Sequence, residues 1–253
     1  MQTFLLSVIT VVKNDEKNIE NTIKSIISQK NVNLEYIVID GFSTDNTLSI
    51  VKKYSKFISK IISEKDLGIY DAMNKGINIV NGDIVVFCNS GDFFYENSLE
   101  KVIKIFKKNT CDFVFGTVLR NYSPGQILKY KYNPKRIYYN FDFATSHSTG
   151  FFLKKKVYDQ IGLYSNKFRC SADYDFYFRL IKNNYKGTVT SKDTLIGNVA
   201  SGGYSSTFSY LGHLIEETKI RLHNKQNFFM VMLIFLNTII KYPLKFFKAK
   251  NFF

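Results

Sequence analysis

Four clusters of acidic and amide side chains recur in the N-terminal part of the chain, each after an apolar run: Lys13-Asn14-Asp15-Glu16, Asp40 to Asp45, Glu64 to Asp71, and Asn89-Ser90-Gly91-Asp92. One such cluster is ordinary, because turns favour Asn, Asp, Gly and Ser for conformational reasons. Four in succession imply a shared rim. A dinucleotide-binding unit needs GxGxxG after the first strand and a P-loop needs GxxxxGK[ST]; the sequence has neither. Carboxylates and amides without such a loop suit a nucleotide whose phosphates arrive with a divalent metal, held by a carboxylate such as Asp92.

Those side chains need a rigid frame. In Gly82 to Asp92 the apolar residues Ile84 to Cys88 lie between polar turns, which predicts a central strand buried on both faces with Asp92 beyond its end. In open α/β sheets ligands bind outside the carboxyl ends of the strands, where loops vary while the sheet holds them. Phe4 to Val12 predicts a first strand, and Ile19, Ile23, Ile26 and Ile27 form a helical stripe within Asn18 to Ser28. Leu34 to Ile39 is a second strand ending at Asp40, a helix starts from Asp45 with Leu48 and Val51 inward, and Phe57 to Ile62 is a third strand. Ile69, Met73, Ile77 and Val80 mark the next helix, Leu99, Val102, Ile103 and Phe106 another, and Asp112 to Phe115 a further strand. Such alternation implies an α/β fold with a mostly parallel central sheet covered by helices on both faces.

From Gly116 the pattern loosens. Leu128 to Tyr139 interleaves Lys129, Lys131, Lys135 and Arg136 with Tyr130, Tyr132, Tyr138 and Tyr139, a composition that fits either a surface gripping sugars and phosphates or a solvated hairpin. Helical spacing returns with Phe176, Leu180 and Ile181, and with Phe208, Leu211, Leu214, Ile215 and Thr218. Ser201-Gly202-Gly203-Tyr204-Ser205 suits either a segment closing over a ligand or a plain surface turn.

The net charge of +14 points to anionic partners, and its placement says more than its size. Beyond Glu217 there is no acidic residue, whereas Lys219, Arg221, Lys225, Lys241, Lys245, Lys248 and Lys250 supply half of the excess. Charge confined to the end of the chain argues against nucleic-acid binding, which spreads bases along a stacking surface. Phe228 to Leu236 is an unbroken apolar run, extended by Ile239 and Ile240, and falls short of the roughly 20 residues that span a bilayer. A short apolar helix flanked only by positive charge suits an anionic membrane interface; packing on the domain or on a second subunit is the alternative. Cys88, Cys111 and Cys170 lack CxxC spacing, so neither a disulfide framework nor a zinc site is indicated, and the N-terminus lacks signal-peptide features. A cytosolic protein is expected.

SVITVVKNDEKNIENTIKSIISQ, YIVIDGFSTDNT, SEKDLGIYDAMNKGINIVNGDIVVFCNSGD, HSTGFF and SADYDFYFRL, taken in order from Leu5 to Leu180, resemble the family 2 glycosyltransferases with a GT-A fold. The similarity is greatest to the branch that builds O-antigen, capsule and other bacterial surface polysaccharides. The resemblance implies inverting transfer of a sugar from a nucleotide donor, UDP-linked, to an acceptor hydroxyl. Thr10, Val11, Asn14 and Glu16 would line the nucleoside pocket, Asp40 would bond the base, and Ser43 and Asp45 belong to the same turn. Asp66, Asp71, Asn74 and Lys75 would lie along the ribose, diphosphate or donor sugar. Asp45 and Asn74 are equally readable as structural.

The family's metal motif usually reads Asp-x-Asp-Asp, whereas this chain has Asn89-Ser90-Gly91-Asp92, leaving Asp92 as the one carboxylate for Mg²⁺ or Mn²⁺. Asn89 and Ser90 would bond the nucleotide, and Gly91 would let the backbone approach the phosphates. His147 falls at a position beside the donor. The family's general base maps to Asp173; Asp175 is the alternative, but its i, i+4 spacing from Arg179 suits a plain ion pair.

The expected organisation is one GT-A domain over 1–225, with a nucleotide-sugar half at 1–115 and an acceptor half at 116–225, and a membrane-interface tail at 226–253. The expected partners are a nucleotide sugar, a lipid-linked glycan and the inner face of the cell membrane. The depleted metal motif supports an alternative, a non-catalytic nucleotide-sugar- or membrane-binding protein. Oligomeric state is not readable.

Overall fold

The computed structural model describes residues 4–122, 125–139, 143–144 and 147–243. Strand β1 (Leu5–Val12) is followed by α1 (Ile19–Ile27), which buries Ile19, Ile23 and Ile26 along its inner stripe. Next come β2 (Asn33–Asp40), α2 (Thr47–Lys53), β3 (Lys60–Ser63), α3 (Ile69–Ile79), β4 (Ile84–Phe87), β5 (Phe93–Phe94) and α4 (Ser98–Lys108). The remainder holds β6 (Phe113–Phe115), β7 (Thr117–Tyr122), β8 (Gly125–Lys129), β9 (Phe151–Lys154), α5 (Lys155–Ile161), α6 (Ala172–Lys182), β10 (Gly187–Val189), β11 (Leu195–Val199), α7 (Tyr210–His223) and α8 (Phe228–Lys241).

The main sheet runs in the order β10-β6-β9-β4-β1-β2-β3, with every pair parallel except those of β9, which is antiparallel to both β4 and β6. Strand alternation loads both faces. Val8 and Val12 enter a core with Ile23, Val86 and Val102, while Ile9 and Val11 enter the opposite core with Met73, Phe87 and Phe176. Each such side chain, fully buried, contributes about 1.5–3 kcal/mol. β1 and β2 pair from Leu5 opposite Asn33 to Val12 opposite Asp40, so they end level and their loops leave side by side. That common end positions the site.

The parallel α/β core is as the apolar pattern predicts. Two features of the C-terminal half are not. β9 inserts antiparallel between β4 and β6, and a second sheet, β5-β11-β7-β8, stands beside the strand ends. β7 and β8 form an antiparallel hairpin, so Lys129 belongs to a strand. Tyr132 beyond it is partly buried and packs against the core, on Phe113 and Phe115 at ring separations of 5.7 and 5.4 Å.

Helix α8 is held to the body through buried Val231, while Phe228, Phe229, Leu233, Leu236 and Ile240 are exposed. Among the described residues no helix is long and apolar enough to cross a membrane. The Lys and Phe residues from 245 to 253 lie outside the described residues.

Candidate active site

The first two strand-end loops are tied to each other. The Asn14 amide donates to Ser43 Oγ at 2.8 Å, Thr44 N donates to Asn14 Oδ1 at 2.8 Å, and Asp15 N donates to Thr47 Oγ1 at 2.8 Å. Glu16 completes the exchange: its amide donates to Asp45 Oδ2 at 3.2 Å, and its Oε2 accepts from Asn46 N at 2.9 Å. Asp40 lies beneath with no exposed surface, accepting from Ser43 Oγ at 2.5 Å and Ser63 Oγ at 2.6 Å. Thr10 is equally buried, bonded to the Cys88 carbonyl at 2.8 Å and the Tyr36 hydroxyl at 3.1 Å. Both are thus buried and engaged at the ends of β1 and β2, where their hydroxyl and carboxylate tie neighbouring strands and loops together. Val11 is also core.

The turn these groups hold presents Phe42. Its φ is 61°, left-handed for an aromatic residue, and its ring is 53% exposed with Lys65 Nζ 6.0 Å from the centroid. A bulky residue in that region is strained, and strain of this kind concentrates at ligand sites. In sequence Phe42 is only the variable position of DGFS.

The third loop folds back over the second. Asp66 accepts from Gly68 N at 3.0 Å, and its Oδ2 would lie 2.3 Å from any Cβ added at Gly41, so only glycine admits it there. Lys75 grips the same loop through the Lys65 carbonyl at 2.7 Å, Glu64 at 2.9 Å and Asp71 at 3.4 Å. Asp71 Oδ2 accepts from Leu67 N at 3.0 Å. Asn74 pins the backbone of Tyr164, donating to its carbonyl at 2.9 Å and accepting from its amide at 3.0 Å. Of the two readings of Asn74, the structural one therefore describes its contacts.

At the end of β4, Ser90 Oγ donates to Asp15 Oδ2 at 2.6 Å and Gly91 N to Thr22 Oγ1 at 3.1 Å, joining this loop to the first. Asn89 Nδ2 donates to Ser148 Oγ at 3.1 Å, but Asn89 Oδ1 is buried without a partner among the described residues. Asp92 is buried and bridges three elements: Oδ2 accepts from Thr149 Oγ1, Oδ1 accepts from Ala200 N at 2.9 Å, and its carbonyl accepts from Thr22 at 2.7 Å. Burial outweighs these bonds and pushes its pKa up to about 6. His147 stands beside this turn, partly buried, its pKa pushed down to about 3 by burial and by the charges of Arg120 and Lys129. Lys129 falls in the stretch whose composition fits either a phosphate-gripping surface or a solvated hairpin, whereas Arg120 carries no signal in the sequence, because the hairpin that holds it has no clear period.

The donor set does not fit a metal ion held by this motif. Asp92 is its one carboxylate and already serves Thr149 and Ala200, and the nearby formal charge acting on it is Arg120. Among the described residues no three His, Cys, Asp or Glu side chains are grouped to hold a metal. Asp92 is instead an anchor for the backbone at Ala200.

Asp173 lies in the first turn of α6, partly exposed. Its Oδ1 accepts from the Tyr70 hydroxyl at 3.1 Å and from Tyr174 N at 2.8 Å, and its Oδ2 takes no hydrogen bond from the described residues. Burial raises its pKa to about 6, and the neighbouring Glu216 adds to the rise. Glu216 itself accepts from the amides of Arg169, Cys170 and Ser171 at 2.7–2.8 Å, fixing the entry to α6. Two residues on, Asp175 is spent: buried, it pairs with Arg179 Nε at 2.9 Å and accepts from Asn224 Nδ2 at 2.8 Å. The structure thus separates the two acids that spacing alone left open.

A comparison with known proteins gives this geometry a family. The model of Glycosyl transferase family 2 matches residues 7–169. An uncharacterized glycosyltransferase of Haemophilus influenzae is 30% identical over 229 residues, covering 79% of this chain and 68% of that protein. The putative teichuronic acid biosynthesis glycosyltransferase TuaG of Bacillus subtilis is 33% identical over 114 residues, 44% of this chain and 45% of TuaG. An uncharacterized glycosyltransferase of Methanocaldococcus jannaschii is 28% identical over 197 residues, 72% of this chain, which spans 66% of that protein's length. Among solved structures, S. aureus TarS in complex with UDP-GlcNAc matches with a TM-score of 0.71 at 18% identity, over 94% of this chain and 73% of that one. The mannosyltransferase PcManGT from Pyrobaculum calidifontis, in complex with GDP-Man and Mn²⁺, matches with a TM-score of 0.65 at 15% identity, over 96% and 76%. These structural matches show the fold, which is GT-A, and the match over residues 7–169 shows the family: the chain belongs to glycosyl transferase family 2.

Proposed function

We propose that the chain is an inverting glycosyltransferase, moving a sugar from a UDP-linked donor to a hydroxyl of a lipid-linked oligosaccharide in cell-surface polysaccharide synthesis. Asp173 is the observation that carries this reading: a carboxylate with one oxygen held by Tyr70 and Tyr174 and the other without a hydrogen bond from the described residues. In the proposed step Asp173 Oδ2 takes the acceptor proton as the acceptor oxygen bonds to the anomeric carbon. The bond from that carbon to the donor phosphate breaks, its electron pair leaving on the diphosphate. One displacement inverts the anomeric configuration. A pKa near 6 makes Asp173 a stronger base than an ordinary carboxylate while leaving it mostly ionised at neutral pH.

The loops after β1 and β2 would hold the nucleoside against Phe42. TarS was solved with UDP-GlcNAc and PcManGT with GDP-Man, which supports a nucleotide-sugar donor. TuaG is named for teichuronic acid biosynthesis, which supports a surface-polymer product. Residues 1–225 would form the catalytic unit. The tail from 226 would dock on the inner membrane surface, as the exposed apolar face of α8 and its basic flanks suggest.

The test is transfer and hydrolysis with a panel of UDP-, GDP- and dTDP-sugars, reading the product's anomeric configuration by nuclear magnetic resonance. Turnover with inversion is expected. Donor binding without turnover on any hydroxyl acceptor would favour a non-catalytic binding protein, and retention of configuration would exclude the single displacement.

A further inference from the structure

The second sheet brings positive charge to the place where the motif lacks carboxylates. In β7, Arg120 lies two residues beyond Val118, and Lys129 in β8 is paired with Val118, so both cations share one face of the sheet. Such diagonal neighbours sit about 7–8 Å apart. The orientation of that face follows from β11, whose Gly197 pairs with Val118 and Val199 with Arg120. A Cβ at Gly197 would lie 2.9 Å from Thr149 Cγ2, so this face looks onto the Ser148–Gly150 turn. The same turn holds Asp92 through Thr149 and Asn89 through Ser148. Arg120 is therefore beside Val199, next to the Ala200 amide that bonds Asp92.

Both cations are partly buried, and neither donates a hydrogen bond to, or forms an ion pair with, the described residues; Arg120 has the ring of Tyr122 beneath it, at 4.8 Å, and acts on Asp92 through space. Two neighbouring unpaired cations repel each other and lose hydration, a cost that an anion between them removes. Burial, and after it the field of the two cations, opposes protonation of His147.

We propose that Arg120 and Lys129 hold the donor diphosphate, supplying the positive charge expected of a metal at Asp92. The proposal rests on the nucleotide-sugar reading and names the groups that stabilise its leaving group. Arg120 offers a planar fork of donors to two phosphate oxygens and Lys129 a point charge. Both act most strongly as the bond to the sugar breaks and charge grows on the diphosphate. Asn89 Oδ1, an acceptor and so unsuited to phosphate, is left for a hydroxyl of the sugar.

The experiment measures binding of UDP, GDP and dTDP to the full chain by calorimetry, in EDTA and in Mn²⁺. The tightest diphosphate and its parent nucleoside are then titrated into Arg120→Gln and Lys129→Gln. The expected result is diphosphate affinity in EDTA within about threefold of that in Mn²⁺, and a loss of about tenfold in each variant with nucleoside affinity unchanged. Arg120→Lys should recover part of the loss. Diphosphate binding that vanishes in EDTA and ignores both substitutions overturns the proposal and leaves the nucleotide-sugar reading standing. Equal loss of nucleoside and diphosphate affinity also overturns it, since the residues would then be structural. Failure of every diphosphate to bind in either buffer overturns the nucleotide-sugar reading itself.

Discussion

Beneath β1 and β2, Asn14, Glu16, Asp40, Ser43 and Asp45 spend their polar atoms on one another and on adjacent residues, whereas around β4, β7, β8 and α6 Asn89 Oδ1, Arg120, Lys129 and Asp173 Oδ2 make no hydrogen bond or ion pair with the described residues. Buried polar groups are ordinarily paired, because an unpaired one costs free energy. The first side is thus built as a support. The second keeps unsatisfied groups that a ligand would complete, and it accepts a stability cost to do so.

The sharpest way to break the comparison is Asp173→Asn. The amide keeps an acceptor for Tyr70 and Tyr174 but cannot take a proton, so transfer should fall on the order of 10²–10⁴-fold with donor affinity unchanged. Retained turnover would remove Asp173 as the base. The same carboxyl predicts a pH profile. With its pKa near 6, kcat/KM should rise with pH and level off above that value. Stability should run the other way: the folded state holds this proton more tightly than the unfolded chain does, so the stabilisation is complete below pH about 4 and is lost as pH rises through the folded value. Asp92, also raised to about 6, adds to the same trend. Because carboxylates such as Glu35 and Glu216 are lowered and act in the opposite sense, the check is a difference: a melting profile between pH 4 and 7 that is the same in Asp173→Asn and Asp92→Asn as in the parent chain would contradict both assignments.

On the supporting side the effects should appear in stability. Asp40→Ala strips the acceptor from Ser43 and Ser63 and should destabilise by about 2–3 kcal/mol in denaturant titration. Asp175→Asn, leaving Arg179 without its charge partner, should cost about 3 kcal/mol, in contrast with the tolerated change at Asp173. The smallest effect tests the turn. Phe42→Gly relieves a left-handed aromatic residue and should stabilise by about 1 kcal/mol while weakening nucleoside binding. Weaker binding without the stability gain would mean that the turn is not strained.

Much of this protein is legible in its sequence. Continuous apolar runs and helical stripes such as Ile19, Ile23 and Ile26 give the parallel core directly, because burial on both faces demands them. The motifs likewise point to the rim, and the family resemblance points to Asp173, whose role as base is the proposal made above. What pattern could not supply is partnership. Asp173 and Asp175 share type and neighbourhood, and only the packing of α6 against Tyr70, Arg179 and Asn224 leaves one oxygen without a hydrogen bond from the described residues. β9, antiparallel in a parallel sheet, carries no local mark of its direction. Asp92 reads in sequence as a lone metal carboxylate; tertiary contacts with Thr149 and Ala200 bury it, and the register of β7, β8 and β11 brings Arg120 to its side. Charges far apart in sequence become one electrostatic site only when strand pairing fixes their distance, so that part of the site was decided by the fold.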